Sequence, residues 1–321
     1  MLDTRRLKVF CEVARRGSFS AAAEALGYTQ PAVSRQIAAL EAETGLTLVR
    51  RRPQGAVLTD AGRLLFSRGN VILARLDDAE AELRALSGLS GGRLRLASFA
   101  SAASSVVPLA VMKFRERHPQ VELSISMAEP VDALPRLRSG ELDMALSHDP
   151  LWAVDGSLSI ELVHLLDDPM YIAMPTGHPL ADAEPLSLGA FADEPWMLSM
   201  PTNCPDQRLF RRACLEAGFE PRIALENDDY SAMLGFVAAG LGVTLVPEMV
   251  TRVVRADVVV RELDPPPPPR PIVVAMPTDY RTAAASAMLD VLREVAGEWV
   301  AARVPLLRGL RAPGVVSLGS R

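Results

Sequence analysis

The chain has 321 residues, enough for two or three domains that each bury a core of their own. Hydrophobic residues make up 49% of it and charged residues 23%, which is the composition of a soluble globular protein. The formal net charge is −5, but residues 1–60 carry nine basic and six acidic side chains, a charge of +3 that leaves −8 for the remainder. A basic head on an acidic body is typical of a protein that presents one end to phosphate.

The composition also argues against several classes of protein. The N-terminus does not form an apolar signal segment, because charged residues interrupt it at once: Asp3, Arg5, Arg6 and Lys8. No run approaches the roughly 18 apolar residues of a membrane span, so we expect a cytoplasmic protein with no membrane partner. The cysteines fit neither a disulfide framework nor a zinc site, and we expect no metal and no other cofactor: Cys11, Cys204 and Cys214.

The opening residues predict three helices. The first spans Thr4 to Arg16 and the second Phe19 to Leu26, with Ser18 placed to cap the second. Thr29 can cap the third, whose first turn contains Pro31, where a missing N–H costs nothing. The apolar positions of the third helix face inward, which leaves a polar set facing outward: Gln30, Ser34 and Arg35.

A β-hairpin is predicted after the third helix. Its strands run from Leu46 to Arg50 and from Ala56 to Leu58, joined by a turn at residues 53–55. Three consecutive basic residues at the hairpin tip can reach the phosphates of a nucleic acid backbone: Arg50, Arg51 and Arg52.

A long helix is predicted from Asp60 to about Leu86, capped by Thr59. Its apolar residues recur at steps of seven, four and three, the pattern of a coiled-coil seam that pairs two chains: Leu65, Ile72, Leu76, Ala79, Leu83 and Leu86. Residues 87–92 then predict a flexible hinge.

From Arg93 onward, predicted strands and helices alternate up to a final helix from Thr282 to Ala302. This alternation predicts an α/β domain with a largely parallel sheet. The chain is expected to cross between two lobes near residues 167–169 and at the five-proline run 265–269. The tail from Val304 lacks periodicity and is predicted to be disordered.

The first three helices have the chemistry of a helix-turn-helix, in which the second of two helices enters the major groove of DNA. Arg35 can pair with guanine, Gln30 with adenine, and Ser34 with a base or a phosphate. We predict that these residues, Pro31 and the basic hairpin contact double-stranded DNA. The alternative is a solvated helix face followed by a solubilising turn.

Three segments strongly resemble the DNA-binding region of LysR-type transcriptional regulators: Phe19–Leu26 (FSAAAEAL), Thr29–Glu41 (TQPAVSRQIAALE) and Leu58–Gly62 (LTDAG). The likeness extends more loosely to about residue 303, with landmarks at residues 114–119, 140–143 and 237–243. One departure is Val49–Arg50, where the family usually has a phenylalanine and an acidic residue. The hairpin of this chain is therefore more basic, and its packing is left open.

The resemblance implies an α/β architecture with an all-α winged helix-turn-helix at its N-terminus and a two-lobed effector domain of the periplasmic-binding-protein type. It also implies a homodimer or homotetramer on promoter DNA, controlled by a small-molecule effector. The corresponding parts of the chain are the DNA-binding domain at residues 1–59, the linker helix and hinge at 60–92, the effector domain at 93–303 and the tail at 304–321. Lobe I comprises residues 93–166 and 269–303, and lobe II comprises 167–268.

The resemblance places the effector pocket between the lobes, lined by residues from both: Ser101, Ala102, Pro130, Ser147, His148, Thr202, Asn203, Asn227 and Asp228. Ser101 matches the hydroxyl that such regulators direct at an effector carboxylate, and free N–H groups at a helix start favour an anion. The alternatives are a capping serine cluster for residues 101–105 and a surface loop position for His148. We favour an organic anion, but Glu129 and Asp229 lie near and no Arg or Lys does so clearly, so a neutral or cationic effector stays open.

Three other functions are weaker. Peroxide-sensing members of the family carry two cysteines in the region of Cys204 and Cys214, but here an apparent helix separates them and Cys214 lies on an apolar stripe, which favours a packing role. An enzyme is disfavoured because no credible nucleophile–base pair is visible. The G-x-S-x-G match at residues 88–92 lacks the strand before and the helix after that a nucleophile elbow needs. The missing signal segment disfavours a solute-binding protein.

Overall fold

The computed structural model describes residues 2–52, 55–86, 92–148, 160–199, 205–227, 229–252, 255–278 and 281–303. The hinge at 87–91, the tail from 304 and the site positions 202, 203 and 228 lie outside these residues, as does Cys204. None of the described helices is long and apolar enough to cross a membrane.

The N-terminal head contains the three predicted helices, α1 (Thr4–Arg16), α2 (Phe19–Leu26) and α3 (Gln30–Thr44). The Ser18 hydroxyl accepts a hydrogen bond from the backbone N–H of Ala21, which confirms the predicted cap of α2. Thr29 precedes α3 but makes no side-chain cap bond, so that prediction is wrong in its chemistry. The helices enclose one core with fully buried members from each: Phe10, Ala22, Val33 and Leu40.

The predicted hairpin forms from β1 (Val49–Arg52) and β2 (Gly55–Leu58), which pair antiparallel. The first strand begins three residues later than predicted, because the N–H groups of Leu48 and Val49 donate to the Glu41 carboxylate at 2.7 and 3.1 Å. Val49 is buried in the core of the head, which resolves how the smaller side chain packs. This hairpin, which we call the wing, is thus hydrogen-bonded to the last turns of α3.

Gly55 fixes the wing to α1 as well. Its φ is +128°, and a Cβ built there would lie 2.4 Å from the carbonyl oxygen of Gly17. That carbonyl accepts a 2.7 Å hydrogen bond from the N–H of Ala56. Only glycine at position 55 permits this close backbone approach.

The linker helix α4 spans Asp60–Leu86, as predicted, and the Thr59 hydroxyl accepts from the N–H of Gly62. Leu65 packs against the core of the head. Further along, Leu76 and Leu83 are 42% and 67% exposed, so nothing in the described part of the chain covers this stretch of the predicted seam.

Lobe I of the C-terminal domain is built on a five-stranded sheet in the order β4-β3-β5-β12-β6. Its strands are β3 (Arg93–Ser98), β4 (Glu122–Met127), β5 (Met144–Ser147), β6 (Ile160–Asp168) and β12 (Arg270–Pro277). Its helices are α5 (Ala100–Ala103), α6 (Val106–Arg117), α7 (Pro130–Arg138) and α11 (Ala283–Ala301). The main core lies between the sheet and the α6 and α11 helices, where Phe114 and Leu289 are buried.

Lobe II contains a three-stranded sheet in the order β10-β7-β11 and a two-stranded sheet of β8 and β9. The strands are β7 (Met170–Pro175), β8 (Pro195–Ser199), β9 (Arg222–Asn227), β10 (Thr244–Pro247) and β11 (Val258–Arg261). The helices are α8 (Pro205–Glu216), α9 (Tyr230–Ala238) and α10 (Glu248–Thr251), with a 3-10 turn at Leu188–Phe191. Trp196 is fully buried in its core.

The prediction of a largely parallel sheet is wrong, because both lobes are mixed. β3 runs parallel to β4 and β5, but β12 runs antiparallel to β5 and β6, and both neighbours of β7 are antiparallel to it. β6 leads out of the lobe I sheet and β12 leads back into it, so these two neighbours run in opposite directions. Arg270 lies opposite Asp168 where they meet lobe II.

Candidate DNA-binding face and effector cleft

The outer face of α3 carries the predicted DNA-reading residues. Pro31 and Arg35 are exposed, whereas Gln30 and Ser34 are partly buried. The Gln30 amide donates to the Ser34 hydroxyl at 3.1 Å, so these two side chains already hold each other in place. The opposite face is buried in the head through Val33 and Ile37. α3 therefore presents its polar face outward, as a groove-reading helix must.

The wing adds positive charge beside this face. Arg50 and Arg52 are exposed on β1, while the side chain of Arg51 lies outside what the structure describes. Within the described part of the head and the first turn of α4, four other arginines are paired with carboxylates: Arg6, Arg15, Arg16 and Arg63. Among the same residues, no ion pair forms at Arg35, Arg50 or Arg52. Their charge stays available to an external polyanion.

Five of the predicted effector residues lie on the lobe I side of the junction between the lobes and are buried: Ser101, Ala102, Pro130, Ser147 and His148. Ser101 lies within α5, and the hydroxyls of Ser104 and Ser105 donate to its carbonyl oxygen. Neither α5 nor α6 has a side-chain cap bond, so the capping alternative for this cluster is wrong. Burial of His148 likewise excludes the surface-loop alternative.

On the lobe II side, Asn227 ends β9 and its side-chain oxygen accepts from the N–H of Asp229 at 2.8 Å. Its acceptor is therefore engaged in a local turn. The Asp229 carboxylate caps α9 through the N–H of Ser231.

Arg270 is the central residue of this junction, and the sequence analysis did not identify it. It is the first residue of β12 and is 1% exposed. Its guanidinium donates to Asp168 at 2.9 Å, to Asp206 at 3.0 Å and to the Ser101 hydroxyl at 2.6 Å. Its charge also lies 5.3 Å from the centre of the Phe99 ring. A basic residue directly after five prolines gives no local signal of burial, because the ion pairs come from distant parts of the chain.

His148 forms the second cationic position. Its Nδ1 lies 3.1 Å from Asp206 Oδ1, and its Nε2 lies 3.3 Å from Glu129 Oε2. Both ring nitrogens thus face carboxylates, which favours the imidazolium form. Burial works against this charge, but attraction to Asp206 outweighs it and raises the pKa of His148 to about 9. The imidazolium packs edge-on against Phe99, with ring centres 4.8 Å apart.

The two buried carboxylates differ in their surroundings. Burial raises the pKa of Asp168, and this outweighs the opposing pull of Arg270. Burial acts in the same direction on Asp206, but His148 and Arg270 together hold the pKa of that carboxyl below its usual range. Asp206 also accepts from the Tyr230 hydroxyl at 3.1 Å. Asp206 is therefore the anion that this cluster stabilises most.

The cluster joins the two lobes. Ser101, Glu129 and His148 belong to lobe I, whereas Asp206 and Tyr230 stand at the starts of α8 and α9 in lobe II. A small pocket, with room for about one water molecule, adjoins Asp206 on the lobe II side. Its lining is mostly apolar: Met170, Met197, Leu198, Phe210 and Leu245, with Asp206, Gln207, Tyr230 and Thr244 as polar members. The junction thus offers buried cations next to a small apolar space.

Cys214 is fully buried in the core of lobe II, and burial raises the pKa of its thiol to about 12. A thiol in this state is a poor nucleophile at neutral pH, since the thiolate is the reactive form. These are the properties of a packing residue.

Comparison with known proteins identifies both parts of the chain. The helix-turn-helix model of the LysR family matches residues 4–63, and the LysR substrate-binding domain matches residues 87–297. AlsR, a transcriptional regulator of Bacillus subtilis, is 30% identical over 265 residues, covering 82% of this chain and 86% of AlsR. The RuBisCO operon transcriptional regulator of Allochromatium vinosum is 32% identical over 245 residues, covering 76% of this chain and 79% of that protein.

The crystal structure of CbnR, a LysR family transcriptional regulator, has the same fold. It covers 92% of this chain and 99% of its own with a TM-score of 0.68 at 24% sequence identity. The relatives are regulators, and the two matched domains together account for the head and the two-lobed body described above. The chain belongs to the LysR family of DNA-binding transcriptional regulators, with a winged helix-turn-helix head and a C-terminal effector-binding domain.

Proposed function

We propose that a small organic acid, bound in the cleft between the lobes, controls how this regulator engages promoter DNA. The observation that carries the proposal is the buried cluster of Arg270, His148 and Asp206 at the lobe junction. Fully buried ionic groups are costly, and a hydrophobic contact would hold the lobes together at less cost. Arg270 and His148 place buried N–H donors of the kind that recognise a carboxylate beside a partly apolar pocket.

The effector would lie against residues from both lobes. Lobe I would contribute Ser101, Ala102, Pro130, Ser147 and His148, and lobe II would contribute Thr202, Asn203, Asn227 and Asp228. Arg270, from the strand that returns from lobe II, adds the basic residue that the sequence analysis lacked. Its presence favours an anion over the neutral and cationic alternatives.

We infer that two or more chains assemble through α4. The exposure of Leu76 and Leu83 on this helix supports pairing, since a seam of this kind is covered by a second copy. Two paired heads would then meet a near-palindromic DNA site. Replacing both leucines with Glu should give monomers in light scattering, and a wild-type protein that is monomeric at micromolar concentration would refute the assembly.

A route from the cleft to the head is provided by one packed contact. A Cβ built on Gly140, in the turn after α7, would lie 2.9 Å from the Cβ of Ala74 on α4. Gly140 has a φ of +69°, so the turn approaches the helix as only glycine allows. One turn earlier on α4, Asn70 accepts from Arg15 of α1 at 3.4 Å. Movement of lobe I would therefore displace the linker helix and, through it, the head.

The experiment is a screen of organic acids by thermal shift, because a ligand that binds only the folded state raises its melting temperature. A compound that stabilises the protein should also change its affinity for promoter DNA in fluorescence anisotropy. Ser101→Ala should weaken binding of that compound by roughly 1 kcal/mol or more. As a control, Ser187→Ala alters an exposed hydroxyl of lobe II outside the cleft. A stabilising acid that binds both variants like the wild type would place the pocket elsewhere.

A further inference from the structure

Asp206 makes the contacts that a free carboxylate would make in this cleft. One oxygen accepts from Arg270 and Tyr230, and the other faces Nδ1 of His148. Asp206 is nonetheless part of the protein, at the start of the 12-residue helix α8. It is 7% exposed and comes from the lobe opposite both cations.

No other described carboxylate can take over this role. Asp168 is held by Arg270 Nε and by the N–H of Met249 at 3.2 Å, which fixes it at the base of the cluster. Glu129 contacts only the far nitrogen of His148 and keeps 28% of its side chain exposed. If Asp206 is withdrawn, one terminal nitrogen of Arg270 and Nδ1 of His148 lose their anion. Arg270 would keep Asp168 and His148 would keep only the partly exposed Glu129, so two buried donors would be left without an acceptor.

We propose that Asp206 is an internal ligand, occupying an anion site formed by Arg270, His148 and Tyr230 for which the carboxylate of an effector competes. This inference rests on the proposed function and names the group that the effector must displace. Binding would exchange a contact between the lobes for a contact with the ligand, so the effector releases α8 from lobe I.

The test is rescue of Asp206→Ala by small carboxylates. This variant leaves a carboxylate-sized space next to both cations, so formate and acetate should raise its melting temperature by about 2–4 °C or more. Chloride at the same ionic strength should not do so, and the wild type should respond much less because Asp206 already fills the site. The control is Asp143→Ala, which removes the partner of Arg95 from a largely buried pair away from the cleft. A rise that Asp143→Ala or the wild type shares equally would overturn the proposal.

A second variant keeps the proposal testable if the alanine variant does not fold. Asp206→Ser also leaves room for a carboxylate but keeps a hydroxyl at the start of α8, where it can bond a free N–H. If neither variant folds in chloride, formate or acetate should restore folding, as followed by circular dichroism. Carboxylates that fail to stabilise a folded variant, or to restore an unfolded one, contradict the internal-ligand role.

DNA binding of the wild type, measured in parallel, separates this inference from the proposed function. Suppose that an organic acid changes the promoter affinity of the wild type but no carboxylate rescues the Asp206 variants. This result would contradict the internal-ligand role of Asp206 and leave the proposed function standing. A wild type that binds promoter DNA but responds to no organic acid would defeat the proposed function, even if the variants are rescued.

Discussion

The DNA-binding face and the effector cleft both contain arginine, but the arginines differ in burial and in pairing with carboxylates. Arg35, Arg50 and Arg52 are exposed, and no described carboxylate pairs with them. Arg270 is 1% exposed and is paired with two carboxylates from different parts of the chain. The first set has its charge directed at a partner outside the molecule, whereas the second has its charge neutralised inside.

The difference follows from the cost of moving charge out of water. An exposed guanidinium stays hydrated until DNA arrives, and release of counterions from the phosphates then favours binding. A buried guanidinium loses its hydration during folding and must find its anions within the protein. A ligand for such a site must therefore compete with an internal carboxylate. We therefore expect mutations of the exposed arginines to change DNA affinity, and mutations of the buried cluster to change folding stability.

The largest effect is expected from Arg270→Ala. It removes the charge that compensates Asp168 and Asp206, both of which stay buried, and should lower the free energy of unfolding by about 3–5 kcal/mol. Urea denaturation followed by circular dichroism measures this loss. Arg255→Ala is the control, because Arg255 pairs with Asp257 on the surface, and it should leave the denaturation midpoint nearly unchanged. Equal small losses in both variants would mean that the cleft cluster does not stabilise the fold.

The next effect is a dependence of stability on pH. The pKa of His148 is raised from 6.5 to about 9 in the folded protein by Asp206, with Glu129 at its other nitrogen and Arg270 and burial opposing. A raised pKa gives stability that is fully present below pH 6.5 and is lost as pH rises through 9, on the order of 3 kcal/mol.

Melting temperatures from pH 6 to pH 10 would show this loss. His148→Gln should remove most of the dependence, whereas His164→Gln, which changes an exposed histidine beside Asp167, should retain it. If the wild type and His148→Gln lose stability in parallel over this range, His148 is not the group that titrates.

The two regions also differ in how well the sequence predicts them. The DNA-binding face comes from a segment in which Val33 and Ile37 repeat one turn apart, so the exposed position of Arg35 follows from helical periodicity alone. The three head helices and the long linker helix were predicted correctly for the same reason. The late start of β1 was not, because the Glu41 carboxylate takes the N–H groups that a strand would have used.

The cleft cluster could be predicted only in part. Family resemblance pointed to Ser101 and His148, but Asp168, Asp206 and Arg270 meet through ion pairs between residues up to 102 positions apart. Neither helical nor strand periodicity carries information about such contacts. The antiparallel pairing of β12 was missed for a related reason, since it depends on the chain crossing to lobe II and returning.

On the DNA side, Arg35→Ala should weaken binding to the specific site by about 1–3 kcal/mol and relax the preference for one base pair in each half-site. Folding stability should stay unchanged, in contrast to Arg270→Ala. Fluorescence anisotropy with the promoter and with single-base variants of it measures both changes. An equal loss of affinity for specific and random DNA would remove Arg35 from base reading.

The smallest effect is expected from Arg50→Ala on the wing. Arg50 lies on β1 opposite Val57 and is exposed, and we expect it to contact the phosphate backbone because the wing, not the reading helix α3, carries it. Its loss should therefore weaken specific and random DNA alike. The slope of log affinity against log salt should become shallower by about 1, because one fewer phosphate is neutralised per chain. Arg63→Ala, which changes an exposed arginine of α4 that is already paired with Asp60, should leave that slope unchanged. A slope equal to that of the wild type in Arg50→Ala would show that the wing does not contact the DNA backbone through this residue.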